Sequence, residues 1–259
     1  VTSLGEAFEK ARADGRAALI GYLPAGFPSV TGAVDGIRAM IAGGVDVIEV
    51  GLPYSDPLMD GPTIQRAVDQ ALSGGVRTAD VLRTVEAVAG TGVPVLVMTY
   101  WNPILQYGVP RFAADLAAAG GAGLITPDLT PEEAGDWLAA AGETGLAPVF
   151  LVAPSSTDER ISRVAGLCRG FIYAASTMGV TGTRDQVSDR APALVARVRA
   201  ATQLPVGVGL GVSDGAQAAQ VATYADGVIV GSAFVRAAAA GLTAVEALAA
   251  DLAAGVRCR

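Results

Sequence analysis

The chain predicts an α/β protein of the (β/α)8 TIM-barrel class, a single domain over residues 1–259 with an extra helix at its N-terminus. Three observations carry this expectation. Eight short β-rich runs recur along the sequence, and most are continuously apolar rather than alternating, the pattern of parallel strands buried on both faces. Segments with an apolar period near 3.6 lie between them, as crossover helices require. The length, 259 residues, is close to the roughly 250 that one such barrel needs. A doubly wound open sheet is the competing architecture.

The elements follow in order. Leu4, Ala7, Phe8 and Ala11 share one face of an N-terminal amphipathic helix. Strands are predicted over 18–23, 45–51, 93–99, 123–127, 147–152, 170–174, 205–209 and 227–230. Helices are predicted over 30–42, 78–89, 111–119, 131–144, 158–165, 192–201, 214–223 and 233–240, and a last one over 244–254 packs outside. Gly43, Gly90, Gly120 and Gly145 follow helical segments, as C-caps do. No linker interrupts the alternation. The longer loops, 52–61 and 175–190, follow strands and are rich in Gly, Ser, Thr and Asp. Barrel enzymes build lids and catalytic groups on that face.

Composition excludes several classes of function. A net charge of −7 argues against nucleic acid or an anionic membrane as partner. No apolar run reaches about 18 residues, so no spanning helix is expected. No basic segment followed by an apolar run opens the chain, so no secretory signal is expected, and Val1 in place of Met points to a trimmed or processed start. Two cysteines, Cys168 and Cys258, make no disulfide framework and fit a reducing, cytoplasmic setting. There is no histidine, which removes histidine metal sites, nucleophile pairs and general bases. Lys10 is the one lysine and sits on the N-terminal helix, so neither a Schiff base nor a metal site is expected in this chain. Acid–base work falls to Asp, Glu or Tyr.

The stretch from Val47 to Gln65 places Glu49 inside an apolar strand and Asp56 and Asp60 on the Pro- and Gly-rich loop that follows. A carboxylate in an apolar strand costs free energy unless it has a partner or a task. Glu49 is thus either an acid–base group at a strand end or a buried glutamate satisfied by backbone or an arginine. Asp60 is a second site acid or the residue that starts the helix after Gly61-Pro62. Asp56 reads as a turn residue, and so does Asn102 before Pro103. Tyr22, Tyr100 and Tyr173 each close a strand, where packing is the simpler role. The run Met98-Thr99-Tyr100-Trp101 lines a pocket or belongs to the core. Three small-residue clusters follow late strands: Gly179 to Thr183, Gly209 to Ser213, and Gly231-Ser232-Ala233 at a helix start. They make tight turns, or they cradle a phosphate with backbone N–H groups, as barrels do after strands 7 and 8.

With these residues assembled, the chain resembles the tryptophan synthase α-subunit family over almost its whole length. The most specific segment is Glu49-x-Gly51-x-Pro53-Tyr54-Ser55-Asp56-Pro57-Leu58-x-Asp60-Gly61-Pro62-Thr63-Ile64-Gln65. Supporting segments are Gly21 to Pro28, Met98 to Pro103, Pro127-Asp128-Leu129, Tyr173 to Ser176 and the glycine clusters. The resemblance implies retro-aldol cleavage of indole-3-glycerol phosphate to indole and glyceraldehyde 3-phosphate. It implies Glu49 as principal acid–base group, Asp60 as acceptor of the indole N–H, and Tyr173 as a residue that places the substrate. It implies Tyr22, Tyr100, Ile125, Thr181 and Leu210 near the substrate, and Gly182, Gly211, Gly231 and Ser232 at the phosphate. It also implies an αββα complex whose β subunit carries pyridoxal phosphate, with Asp56, Asn102 and Pro103 facing that partner and loop 175–190 as a lid.

The chain departs from the family's usual pattern at Pro24, Met59, Thr177 and Leu210, where many relatives carry Thr, Ala, Arg and Phe. None of these is a proton-transfer group; they bear on pocket shape and lid contacts. The other functions open to the sequence are a stand-alone lyase of the same family, another phosphate-binding barrel enzyme, and an inactive subunit that only supports a partner. A ribulose-phosphate epimerase-like enzyme would want metal-ligating histidines, which are absent.

Overall fold

The computed structural model of the chain describes residues 3–175, 190–209 and 211–257. Elements run in the order α1 (Leu4–Ala13), β1 (Ala18–Pro24), α2 (Val30–Ala42), β2 (Val47–Gly51), α3 (Pro62–Ser73), α4 (Thr78–Ala89), β3 (Val95–Met98), α5 (Trp101–Tyr107), α6 (Val109–Ala118), β4 (Gly123–Thr126), α7 (Gly135–Thr144) and β5 (Ala147–Val152). They continue with α8 (Asp158–Leu167), β6 (Ile172–Ala175), α9 (Arg190–Ala201), β7 (Val206–Gly209), α10 (Gly215–Ala222), β8 (Gly227–Val230), α11 (Ser232–Ala240) and α12 (Leu242–Gly255). The strands form a closed barrel in chain order, each parallel to the next, with β8 returning to β1. The predicted barrel and its N-terminal helix are the observed architecture. Thr177, Thr181, Gly182, Leu210, Cys258 and loop residues 176–189 lie outside the described residues.

Two apolar clusters reflect the two faces of each strand. The inner one stacks Ile20, Val47, Leu96, Ile125, Val149, Phe171 and Ile229 inside the barrel. The outer one fills the layer between strands and helices. Burial on both faces is why the strands read as unbroken apolar runs. α1 belongs to the inner cluster, because it plugs the end of the barrel where the strands begin. The Phe8 and Phe171 rings lie 5.3 Å apart, and a Cβ on Gly227 would stand 3.0 Å from Phe8. Ser3 and Glu6 form a capping box that starts α1. The same end of the barrel carries a buried ion pair: Arg16 donates to both oxygens of Asp46 at 2.6 and 2.9 Å, and Asp46 also accepts the Leu19 N–H.

Several boundaries move. β2 begins at Val47, two residues later than predicted, because Val45 donates to Met40 O and the Asp46 side chain is drawn to Arg16. β6 begins at Ile172, after Gly170 turns with φ +82°. α7 begins at Gly135, since Thr130 to Glu133 makes a turn closed by Glu133 N–H on Thr130 O. α5 is a helix absent from the predicted set, and the helix expected after Gly61-Pro62, for which no end was predicted, is α3. Asn102-Pro103, read as a turn, lies in the first turn of α5, where proline's missing N–H would have had no helical partner. Gly43, Gly90 and Gly145 are C-caps as predicted, whereas α6 closes on Ala119 with Gly120 just beyond.

Candidate active site

β1 and β2 pair with Tyr22 opposite Glu49, so both side chains point into the barrel above the inner cluster. Glu49 is wholly buried, and neither carboxylate oxygen has a hydrogen-bond partner among the described residues. A buried glutamate satisfied by an arginine or by backbone is therefore not what the structure contains. Loss of solvent pushes its pKa up to about 8. At neutral pH the group is mainly a carboxylic acid, able to donate a proton.

Asp60 stands at the mouth of the same cleft. It is not the cap of α3: the N-cap is Gly61, with no side-chain capping bond, and Pro62 occupies the first turn. The Asp60 carboxylate instead accepts the Tyr100 hydroxyl at 3.1 Å, and its carbonyl accepts Gln65 Nε2 at 2.7 Å. Partial burial raises the Asp60 pKa, and the Tyr100 hydrogen bond pulls it back down. Burial likewise raises the phenols of Tyr22, Tyr100 and Tyr173, which remain neutral donors.

These groups line one cleft. Glu49, Asp60, Tyr22, Tyr100 and Tyr173 form its polar part. Two glycines make room for the tyrosines. A Cβ on Gly51 would run into the Tyr22 ring and hydroxyl, and one on Gly209 would stand 2.7 Å from the Tyr173 hydroxyl. Gly209, Gly211, Gly231 and Ser232 line the side of the cleft next to Tyr173 and Tyr22. Ser232 is the first residue of α11, so this side of the cleft holds a helix N-terminus with its free N–H groups and positive dipole. One cleft thus joins a buried carboxylic acid, a second carboxylate and a helix N-terminus.

Not every predicted residue reaches the cleft. Ile125 is fully buried in the inner cluster, paired with Met98 of the cleft wall, and does not itself line the cleft. Thr181, Gly182 and Leu210 fall outside the described residues. Leu52, Met59, Ile64 and Ile229 line the cleft without having been predicted, and Met98 and Thr99 resolve to the cleft rather than to core alone. No local signal separates such apolar wall residues from ordinary core.

Asp56 and Asn102 stand outside the cleft on an exposed face. The Asp56 carboxylate accepts the Ser55 hydroxyl at 2.6 Å, and Asn102 donates to the Tyr54 hydroxyl at 3.3 Å. Leu58 and Leu105 are exposed on the same loop and helix, at 73% and 51%. Among the described residues no cluster of three or more His, Cys, Asp or Glu is placed to hold a metal ion, and no helix is long and apolar enough to cross a membrane.

A family model described as the tryptophan synthase alpha chain matches residues 8–257. The chain belongs to the tryptophan synthase alpha chain family. It is 62% identical to the tryptophan synthase alpha chain of Nocardia farcinica over 254 residues, covering 98% of this chain and 96% of the relative. It is 63% identical to that of Salinispora arenicola, covering 99% and 98%. Among solved structures, tryptophan synthase of Mycobacterium tuberculosis superposes with a TM-score of 0.95 at 60% identity, covering 99% of both chains. The alpha chain of Legionella pneumophila, at only 32% identity, still gives a TM-score of 0.88 over 99% of this chain and 97% of its own. Members of this family are lyases of tryptophan biosynthesis that cleave indole-3-glycerol phosphate, and the barrel described above is an enzyme of that kind.

Proposed function

We propose that Glu49 is the acid–base group of the cleavage and that Asp60 steadies the charge it creates. The observation that carries this reading is the wholly buried Glu49 carboxyl, without a hydrogen-bond partner among the described residues, on the wall of the cleft that Ser232 of α11 also lines. Protonated Glu49 delivers its proton to C3 of the indole ring. The positive indolenine that results is its own electron sink. Asp60 accepts the ring N–H, whose acidity rises as the charge forms. The Glu49 carboxylate then takes the proton of the glycerol hydroxyl on the carbon bonded to C3. That oxygen becomes the aldehyde carbonyl, the carbon–carbon bond breaks, and its electron pair returns to the ring. Glu49 ends protonated, ready for the next turnover.

An anion seat fixes the other end of the substrate. Gly211, Gly231 and Ser232 hold the phosphate on backbone N–H groups and the α11 dipole. Tyr173 and Tyr22 flank Glu49, while Leu52, Met98 and Ile229 supply apolar wall for the ring. The roles of Thr181, Gly182 and Leu210 rest on the family resemblance alone. We also read the chain as one barrel domain over 1–259, acting in the cytoplasm in an αββα complex. The β subunit holds the pyridoxal phosphate and receives the indole. Asp56, Asn102 and Pro103 face it, with the exposed Leu58 and Leu105 as apolar contacts on the same face.

The test is indole release from indole-3-glycerol phosphate by the purified chain, with and without a tryptophan synthase β subunit. Slow release alone, strong stimulation by the β subunit, and a loss of about 10²–10⁴-fold in Glu49→Gln are expected. Fast release without partner would favour a stand-alone lyase, and full activity in Glu49→Gln would remove the assigned acid.

A further inference from the structure

Asp60 comes from loop 52–61, yet an acceptor carboxylate has to be held close to its working position to be useful. The structure shows what holds it. The Tyr100 hydroxyl makes two hydrogen bonds, donating to Asp60 Oδ1 at 3.1 Å and accepting the Met59 N–H at 3.0 Å. One oxygen therefore grips both the acid and the backbone just before it. The Tyr54 ring, from the same loop, packs on the Tyr100 ring with centroids 5.5 Å apart.

Tyr100 is itself held from the other side. It is buried, stands two residues after the end of β3, and is the N-cap residue of α5. The next N–H, on Trp101, is bonded by both carboxylate oxygens of Asp128 at 2.9 and 3.1 Å. Asp128 lies on the loop after β4, beside Pro127 of the cleft wall. A side chain from a neighbouring barrel unit thus supplies the cap that α5 lacks locally.

We propose that Tyr100 is a positioning residue for Asp60, tying the loop-borne carboxylate to the β3–α5 junction that Asp128 anchors. Tyr100 moves no proton of the reaction; it decides where the acceptor of the indole N–H stands. The inference rests on the role given to Asp60 above. The ionisable groups that bear on the Asp60 carboxyl are Tyr100 itself and Tyr22 from β1, which in turn feels Glu49 on β2.

The experiment compares the wild-type chain with Tyr100→Phe, Asp60→Asn and the double variant. One readout is the carboxyl titration of Asp60 followed by ¹³C NMR on the full-length chain, its signal assigned by loss in Asp60→Asn. The other is kcat and KM for indole-3-glycerol phosphate with the β subunit present. Removing a hydrogen bond to the ionised carboxylate is expected to move the Asp60 titration to higher pH. It is also expected to lower kcat roughly tenfold with little change in KM. In the Asp60→Asn background the same substitution is expected to cost almost nothing further. An unmoved titration, or an equal fold-loss in both backgrounds, overturns the proposal. Should Asp60→Asn keep wild-type kcat, the role of Asp60 fails instead. An upward titration shift in Tyr100→Phe would then still support the positioning, and an unmoved one would overturn it.

Discussion

Burial of Glu49 ties activity to a cost in stability, and pH makes that cost measurable. The side chain has an ordinary pKa of 4.5, raised to about 8 in the fold by burial alone. Below pH 4.5 the group is protonated in both folded and unfolded chains and contributes no pH dependence. Between pH 4.5 and about 8 the unfolded chain releases the proton while the folded chain keeps it, so stability falls as pH rises. Above that window both forms are ionised and the penalty is constant. Each pH unit inside the window is worth about 1.4 kcal/mol. In Glu49→Gln, which cannot ionise, this penalty is absent. Relative to the wild type, the variant should gain stability by roughly 3 kcal/mol from pH 4.5 to pH 7, approaching roughly 5 kcal/mol above pH 8. Urea unfolding of both proteins at matched pH values reads the difference directly. A difference that stays flat from pH 5 to pH 8 would refute the reasoning, because it would mean the carboxylate finds a partner and ionises normally. The same substitution is expected to abolish most catalysis, so the group that destabilises the barrel is the one the reaction needs.

Four further outcomes follow from the geometry. Gly51→Ala places a methyl group against the Tyr22 ring and hydroxyl, and should cost about 1–3 kcal/mol and raise KM. Tyr22→Ala in the same chain should return part of that stability in a thermal melt. Phe8→Ala empties the plug under the barrel, where Phe8 is 3% exposed against Phe171, and a loss of about 3–5 kcal/mol is expected by denaturant unfolding. Asp46→Ala removes two hydrogen bonds from Arg16, which keeps Asp14 at 3.4 Å and the Ala17 carbonyl, and frees the Leu19 N–H; a loss of about 1–3 kcal/mol is expected, and no measurable change would show the pair to be inert. The Cys168 thiol is buried beside Phe150 and pushed up to about 12, so in a Cys258→Ser chain it should resist thiolate-directed labelling at pH 8 until the protein unfolds.

What the amino-acid sequence determined by itself was local and periodic. Strands buried on both faces are apolar at nearly every position, so β1, β5 and β8 were legible as unbroken runs and β2 as a run interrupted by Glu49. The stripe of Leu4, Ala7, Phe8 and Ala11 marked α1, and the motif around Glu49 and Asp60 marked the acids. Other features depended on residues far apart in the chain. α5 looks like a turn at Asn102-Pro103 because its first N–H is satisfied by Asp128, 27 residues further on. Ile125 and Ile229 are alike as strand residues, yet only Ile229 lines the cleft, a difference that no run of sequence marks. The sequence left Glu49 either paired or poised, and closure of eight strands buried it with no hydrogen-bond partner among the described residues. Side-chain periodicity is a property of one strand, whereas the solvation that sets a pKa belongs to the enclosed space. For that reason the chain could announce its acids, and only the folded barrel could decide which of them keeps its proton.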